Sequence, residues 1–262
     1  MHYKTLITSE ENGIFTVTLN RPEKRNAISY ELIEDLLRAL EEAERSRSQV
    51  LIISAAGKAF CAGMDLENLK ALSNANKTQA EHVEDSRTMA RLFRAIYDFP
   101  KPSIAAVNGA AIAGGTGIAT LCDITIAVPD AKFGYTEVRI GFVPAIVSTF
   151  LMRQVGEKHA RDLLLTGRLI DAAEAYRIGL INEVVAAENL ISRAHEIAGV
   201  LMENSPASVR ATKELISRNL NAELDQQIEA AVEQNARMRL TNDFHEGVAS
   251  FLEKRRPKWG GT

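Results

Sequence analysis

Three short apolar runs constrain this chain most: "VLIIS" (50–54), "SIAAV" followed by Asn108 (103–108), and "DITIAV" (123–128). Each is continuous rather than alternating, as expected of strands covered on both faces. Helical patterns lie between and before them. From Ser29, the residues Leu32, Ile33, Leu36, Leu37 and Leu40 recur at helical spacing and predict an amphipathic helix to about Glu44. A second helix runs through Met89, Leu92, Phe93 and Ile96 and ends before Pro100. Ahead of both, "GIFTVTLN" alternates and reads as a strand. Strand, helix, strand, helix, strand with short connections predicts α/β architecture with crossover helices.

The 262 residues suit one large domain, or one with a smaller appendage. The strand–helix pattern occupies 1–204. From Ser205, a plausible cap with Pro206 at the first helical position, the pattern is helical only. Two further helical stretches, about Glu223 to Met238 and Asp243 to Arg255, complete a region 205–262. The stretch "ALSNANKTQAEHVED" reads as a polar surface loop.

A net charge of -3 gives no basic field for nucleic acid or an anionic membrane. No apolar run reaches bilayer length, and the opening "MHYKTLITSEENG" lacks a charged leader followed by an apolar core. The expectation is a cytoplasmic protein with neither membrane nor nucleic acid as partner. Two cysteines, Cys61 and Cys122, exclude a disulfide framework and read as buried thiols. His82, His159, His195 and His245 show no ligand spacing and read as packing or surface residues, with no metal site.

The stretch "NGAAIAGGTGIATLCDI" (108–124) places glycines between an apolar strand and an apolar helix, and Gly117 inside that helix. Glycine there costs about 1 kcal/mol relative to alanine. A dinucleotide fingerprint fails because Thr120 stands at its third glycine. A phosphate loop fails because Gly115 stands at its lysine. No G-x-S-x-G or H-E-x-x-H occurs. Two uses remain: close helix–strand packing, or backbone N–H donors that stabilise a negative oxygen. A second glycine loop, "GKAFCAGMDL", follows the strand at 50–54 and could aim another donor at the same point.

"KAFCAGMDL", "IAAVNGAAIAGGTGIATLCDI" and "AKFGYTEVRIGFVP" together resemble the crotonase family of enoyl-CoA hydratases and isomerases. "NRPEKRNAIS", "LLLTGRLIDAAEAYRIGLINEVV" and "FLEKRRPKW" extend the resemblance, in order, over nearly the whole chain. The resemblance implies a spiral of repeated strand–strand–helix turns with a C-terminal helical oligomerisation region, as a trimer or a dimer of trimers. It implies an acyl-CoA thioester as substrate, with coenzyme A part of that substrate and no separate cofactor.

By position, the resemblance makes Met64 and Gly114 the backbone donors of an oxyanion hole, and Glu137 in "FGYTE" a catalytic carboxylate. A second glutamate of the hydratases would fall on Gly117, whose missing side chain is expected to leave space beside the substrate. Ala145 and Ile146 replace small turn residues in a loop bordering the acyl pocket. Lys24, Arg25, Ala27, Ala62 and Asp65 fall where the family holds coenzyme A, and Phe251 and Lys254 match an element that reaches a neighbouring subunit's site. One glutamate suffices to move a proton between two carbons, which favours isomerisation of 3-enoyl- to 2-enoyl-CoA. Hydration of 2-enoyl-CoA is the alternative, and a non-catalytic acyl-CoA-binding protein a further one.

Overall fold

The computed structural model describes residues 3–72, 78–221 and 224–260. Its elements run β1 (Leu6–Glu11), β2 (Ile14–Leu19), α1 (Tyr30–Arg45), β3 (Val50–Ala55), β4 (Ala59–Cys61), α2 (Leu66–Leu72), α3 (Gln79–Tyr97), β5 (Ser103–Val107), β6 (Ala110–Ile112) and α4 (Gly114–Thr120). There follow β7 (Ile124–Ala127), β8 (Lys132–Gly134), α5 (Ala145–Thr166), β9 (Ile170–Asp171), α6 (Ala172–Arg177), β10 (Glu183–Val184), α7 (Leu190–Met202), α8 (Pro206–Asn221), α9 (Leu224–Met238) and α10 (Asn242–Leu252).

Consecutive strands divide between two sheets. One has the order β1-β2-β3-β5-β7-β10, the other β4-β6-β8-β9. In each of the pairs β3/β4, β5/β6 and β7/β8, the first strand joins the six-stranded sheet and the second the four-stranded one. A helix then carries the chain to the next pair, which is the strand–strand–helix spiral. The three apolar runs are β3, β5 and β7, paired parallel in adjacent positions. β5 is buried at every residue, which is why its sequence does not alternate.

α1 starts where Ser29 accepts the Leu32 N–H at 3.1 Å, an N-cap that leaves its leucine and isoleucine face in the core. The second glycine loop, 57–66, contains the strand β4 (Ala59–Cys61). Three residues are too few to show a period of two, so β4, β6 and β8 leave no pattern in the sequence. The polar stretch 71–85 is not a surface loop where it is described: Ala71 and Leu72 end α2, 73–77 lie outside the described residues, and from Gln79 it is helix α3. Thr78 and Glu81 open that helix with a reciprocal capping box. The C-terminal helices pack on their own chain: α9 lies against α3 and α5, and α10 against the turn Glu137–Ile140. Cys61 and Cys122 are buried, as expected, and burial pushes both thiols up to about 12.

Candidate active site

A cavity of about 630 Å³ opens where both glycine loops, the Glu137 turn and the C-terminal helix converge. Met64, Gly114 and Glu137 all line it. Gly63 sits at φ +88°, a conformation that glycine adopts without steric penalty. A Cβ built there would stand 3.2 Å from the Ile112 carbonyl oxygen and 3.3 Å from Ala113 Cβ, so the two loops touch.

The parallel bridge between Ile28 and Met64 explains why one donor is free. Ile28 donates to the Gly63 carbonyl at 2.7 Å and accepts from the Asp65 N–H at 2.8 Å. Both bonds pass through the neighbours of Met64, so its own N–H is outside the ladder. Gly114 opens α4, where first-turn N–H groups have no partner within the helix. Among the described residues no group accepts from either N–H. Ala113, just before, is held at φ +52° and ψ -123° while its N–H donates to Gly134 at 2.7 Å. Strain of this kind in a non-glycine residue persists where surrounding bonds over-determine it.

Glu137 begins a short 3-10 turn, Glu137–Ile140. Its Oε2 is buried and has no hydrogen-bond partner among the described residues. Burial pushes its pKa from 4.5 to about 7, against a smaller opposing contribution from its own backbone N–H. Such a carboxyl is partly protonated and partly ionised near neutral pH, as an acid–base group needs to be. Two glycines press α10 onto this turn. A Cβ on Gly141 would stand 2.2 Å from the Asp243 carbonyl oxygen, and one on Gly247 2.2 Å from the Ile140 carbonyl oxygen.

The inner glycines differ from one another. Gly115 serves close packing: a Cβ there would lie 2.3 Å from the Cys61 carbonyl oxygen. Gly117 does not line the cavity, and the expected space beside the substrate is absent. A Cβ on Gly117 would meet Phe93 Cζ at 2.9 Å and Val147 Cγ1 at 3.1 Å. The Phe93 ring and Val147, both cavity-lining, close the place where a second carboxylate would stand. Ala145 and Ile146 do line the cavity, at the start of α5.

Lys24, Arg25, Ala27, Ala62, Asp65, Phe251 and Lys254 all border the same cavity. Phe251, in α10, and Lys254, just after it, border this chain's own cavity. Lys24, Arg25, Phe251 and Lys254 are exposed, so a cationic and aromatic rim is available. Asp65 is buried and committed, accepting from Arg21 Nη2 at 2.9 Å and from the Glu67 N–H at 3.0 Å. The sequence reading missed Asn26. It is fully buried, donates to the Ala56 and Ala59 carbonyls at 2.8 and 2.9 Å, and accepts from the Arg21 N–H at 2.8 Å. This pins the "RPEKRNA" loop to β4. Only the loop's position beside a short strand reveals that role, and the strand itself leaves no signal.

A polar group on the cavity wall was also missed. Tyr30 donates to Asp85 Oδ1 at 2.8 Å, and Arg239 donates from Nη1 to the His82 carbonyl at 2.8 Å. Asn235 lies one helical turn before Arg239, and all four of Tyr30, Asp85, Asn235 and Arg239 line the cavity.

Together, two free N–H groups and one buried carboxyl can hold a developing oxyanion and move a proton beside it. Residues 9–262 match the enoyl-CoA hydratase/isomerase family. A Thermus thermophilus protein named "Putative enoyl-CoA hydratase" is 41% identical over 97% of this chain and 100% of its own length. The "Short-chain-enoyl-CoA hydratase" of Clostridium acetobutylicum is 34% identical over 98% of this chain and 97% of its own length. The crystal structure of an enoyl-CoA hydratase/isomerase from Xanthobacter autotrophicus superposes with a TM-score of 0.89 at 30% identity, covering 96% of this chain and 94% of that one. With the spiral of paired strands and both glycine loops in place, these matches show that the chain belongs to the enoyl-CoA hydratase/isomerase family and has its crotonase fold.

Proposed function

We propose that this cavity hydrates a 2-enoyl-CoA. The observation that carries the reading is the Glu137 carboxyl, whose buried Oε2 has no hydrogen-bond partner among the described residues, in one cavity with the free N–H groups of Met64 and Gly114. The thioester oxygen accepts from both N–H groups. Ionised Glu137 takes a proton from a water, whose oxygen adds to the β-carbon as the enolate forms. The protonated carboxyl then gives that proton to the α-carbon, the enolate collapses, and Glu137 is ionised again. One group of pKa about 7 serves both halves of this cycle. The hydratase names of the relatives support hydration. Lys24, Arg25, Phe251 and Lys254 supply a rim for the nucleotide end of coenzyme A.

A second reading is favoured by Gly117. Its place is closed by Phe93 and Val147, which leaves Glu137 without a carboxylate partner there and suits a proton shuttle between the α- and γ-carbons. The test is to add purified protein separately to a 2-enoyl-CoA and a 3-enoyl-CoA and follow the conjugated enoyl thioester absorbance. Loss of signal from the first reports hydration, and a gain from the second reports isomerisation. If both remain silent, with Glu137→Gln indistinguishable from the native protein, the reading is wrong.

A further inference from the structure

Arg239 is 3% exposed, on the wall of a cavity otherwise rich in apolar side chains. A buried guanidinium is costly unless its donors are satisfied. Here one hydrogen bond is made, from Nη1 to the His82 carbonyl. Asp85 lies 3.9 Å from the same Nη1, beyond hydrogen-bond distance. The Phe142 ring offers a face 5.4 Å from the guanidinium carbon. The opposite edge, Nε and Nη2, has no acceptor among the described residues, and Nε is itself buried. That edge is the planar fork that takes a carboxylate through two parallel hydrogen bonds. Asn235 is on the same helical face one turn earlier, also buried, and its Oδ1 is unpartnered. Which amide atom points where is interchangeable by a flip, so Asn235 can add a further donor.

What the Nε/Nη2 edge of Arg239 lacks is an acceptor. We infer that Arg239 and Asn235 form a subsite for a carboxylate at the far end of the acyl chain, so that the preferred substrate is the CoA thioester of an unsaturated dicarboxylic acid. This deepens the proposed function and rests on it for the thioester end. Asp85, held by Tyr30, balances the guanidinium on its Nη1 side and leaves the fork for the ligand.

The test compares two six-carbon 2-enoyl-CoA substrates, one ending in a carboxylate and one in a methyl group. Hydrogen bonds between a guanidinium fork and a carboxylate are charge-assisted and paired, so the carboxylate-ended substrate should have a kcat/KM at least about tenfold higher. Arg239→Met should abolish that preference, lowering kcat/KM for the carboxylate-ended substrate at least about tenfold more than for the methyl-ended one. Arg239→Lys, which keeps the charge and loses the fork, should fall between. Equal or better turnover of the methyl-ended substrate by the native protein overturns the inference and needs no variant to fold. Calorimetric binding of the matching saturated thioesters separates the two readings. Tighter binding of the carboxylate-ended thioester without turnover of either enoyl substrate keeps the subsite and rejects the hydratase; turnover without preference does the reverse.

Discussion

Ile28 touches both loops that carry the free N–H groups of Met64 and Gly114. Its backbone brackets Met64 through Gly63 and Asp65, and its Cδ1 lies 2.9 Å from the position a Cβ on Gly114 would take. The two N–H groups are therefore spaced by one residue that belongs to neither loop.

Gly114→Ala should move the α4 N-terminus against that methyl group and lower kcat at least tenfold, since loss of one oxyanion donor costs about 3 kcal/mol of barrier. Ile28→Val removes Cδ1 and should restore part of the rate in the double variant. Steady-state kinetics of the four proteins provide the check, and additive losses would sever the link.

Glu137→Gln should abolish turnover by at least a thousandfold while leaving acyl-CoA binding within a few-fold. In the native protein, activity governed by the ionised carboxylate should rise with an inflection near pH 7. The stability sign follows from a folded pKa of about 7 above an unfolded value of 4.5. Protonated Glu137 is the form the fold prefers, so its contribution is complete below 4.5 and lost as pH rises through 7. Glu137→Gln should therefore be more stable than the native protein at pH 8, by at most about 3 kcal/mol, with no difference at pH 4. Denaturant titrations at both pH values measure this.

Gly117→Glu introduces a carboxylate where Phe93 and Val147 already meet. Alone it should destabilise the fold by about 3 kcal/mol, through overpacking and a desolvated charge. Combined with Phe93→Ala, it should recover stability relative to the single variant and raise hydration relative to isomerisation. Thermal melts and the two-substrate assay decide it together.

Asn26→Ala removes three hydrogen bonds made by a fully buried side chain and should cost about 3 kcal/mol of stability. Because the loop it pins carries Lys24 and Arg25, KM for the acyl-CoA should rise more than kcat falls. A fall in kcat alone would place the loop's influence on the chemistry instead.

The parts of the fold legible in the sequence are those long enough to carry a period. β3, β5 and β7 announce themselves as buried runs, and α1 by its stripe and Ser29. β4, β6 and β8 are three residues each, shorter than any recognisable alternation, so the second sheet was invisible. β1 was missed because only Leu6 of its six residues is buried. The two glycine loops were legible in the residues themselves, and Glu137 through the resemblance. The closure at Gly117 was not, because it depends on Phe93 from α3, far off in the chain. Arg239 and Asn235 were equally hidden: a polar pair one turn apart reads as a solvated face until the helix is seen against a cavity.

The reciprocal glycine contacts between α10 and the Glu137 turn also order events in time. Gly141 and Gly247 bring the two backbones together without side chains between them, so the turn has its full support only when the last helix is seated. As the chain emerges in synthesis, both sheets and both donor loops are complete before that helix exists. A chain cut before α10 would keep both glycine loops and lose the helix that backs the Glu137 turn.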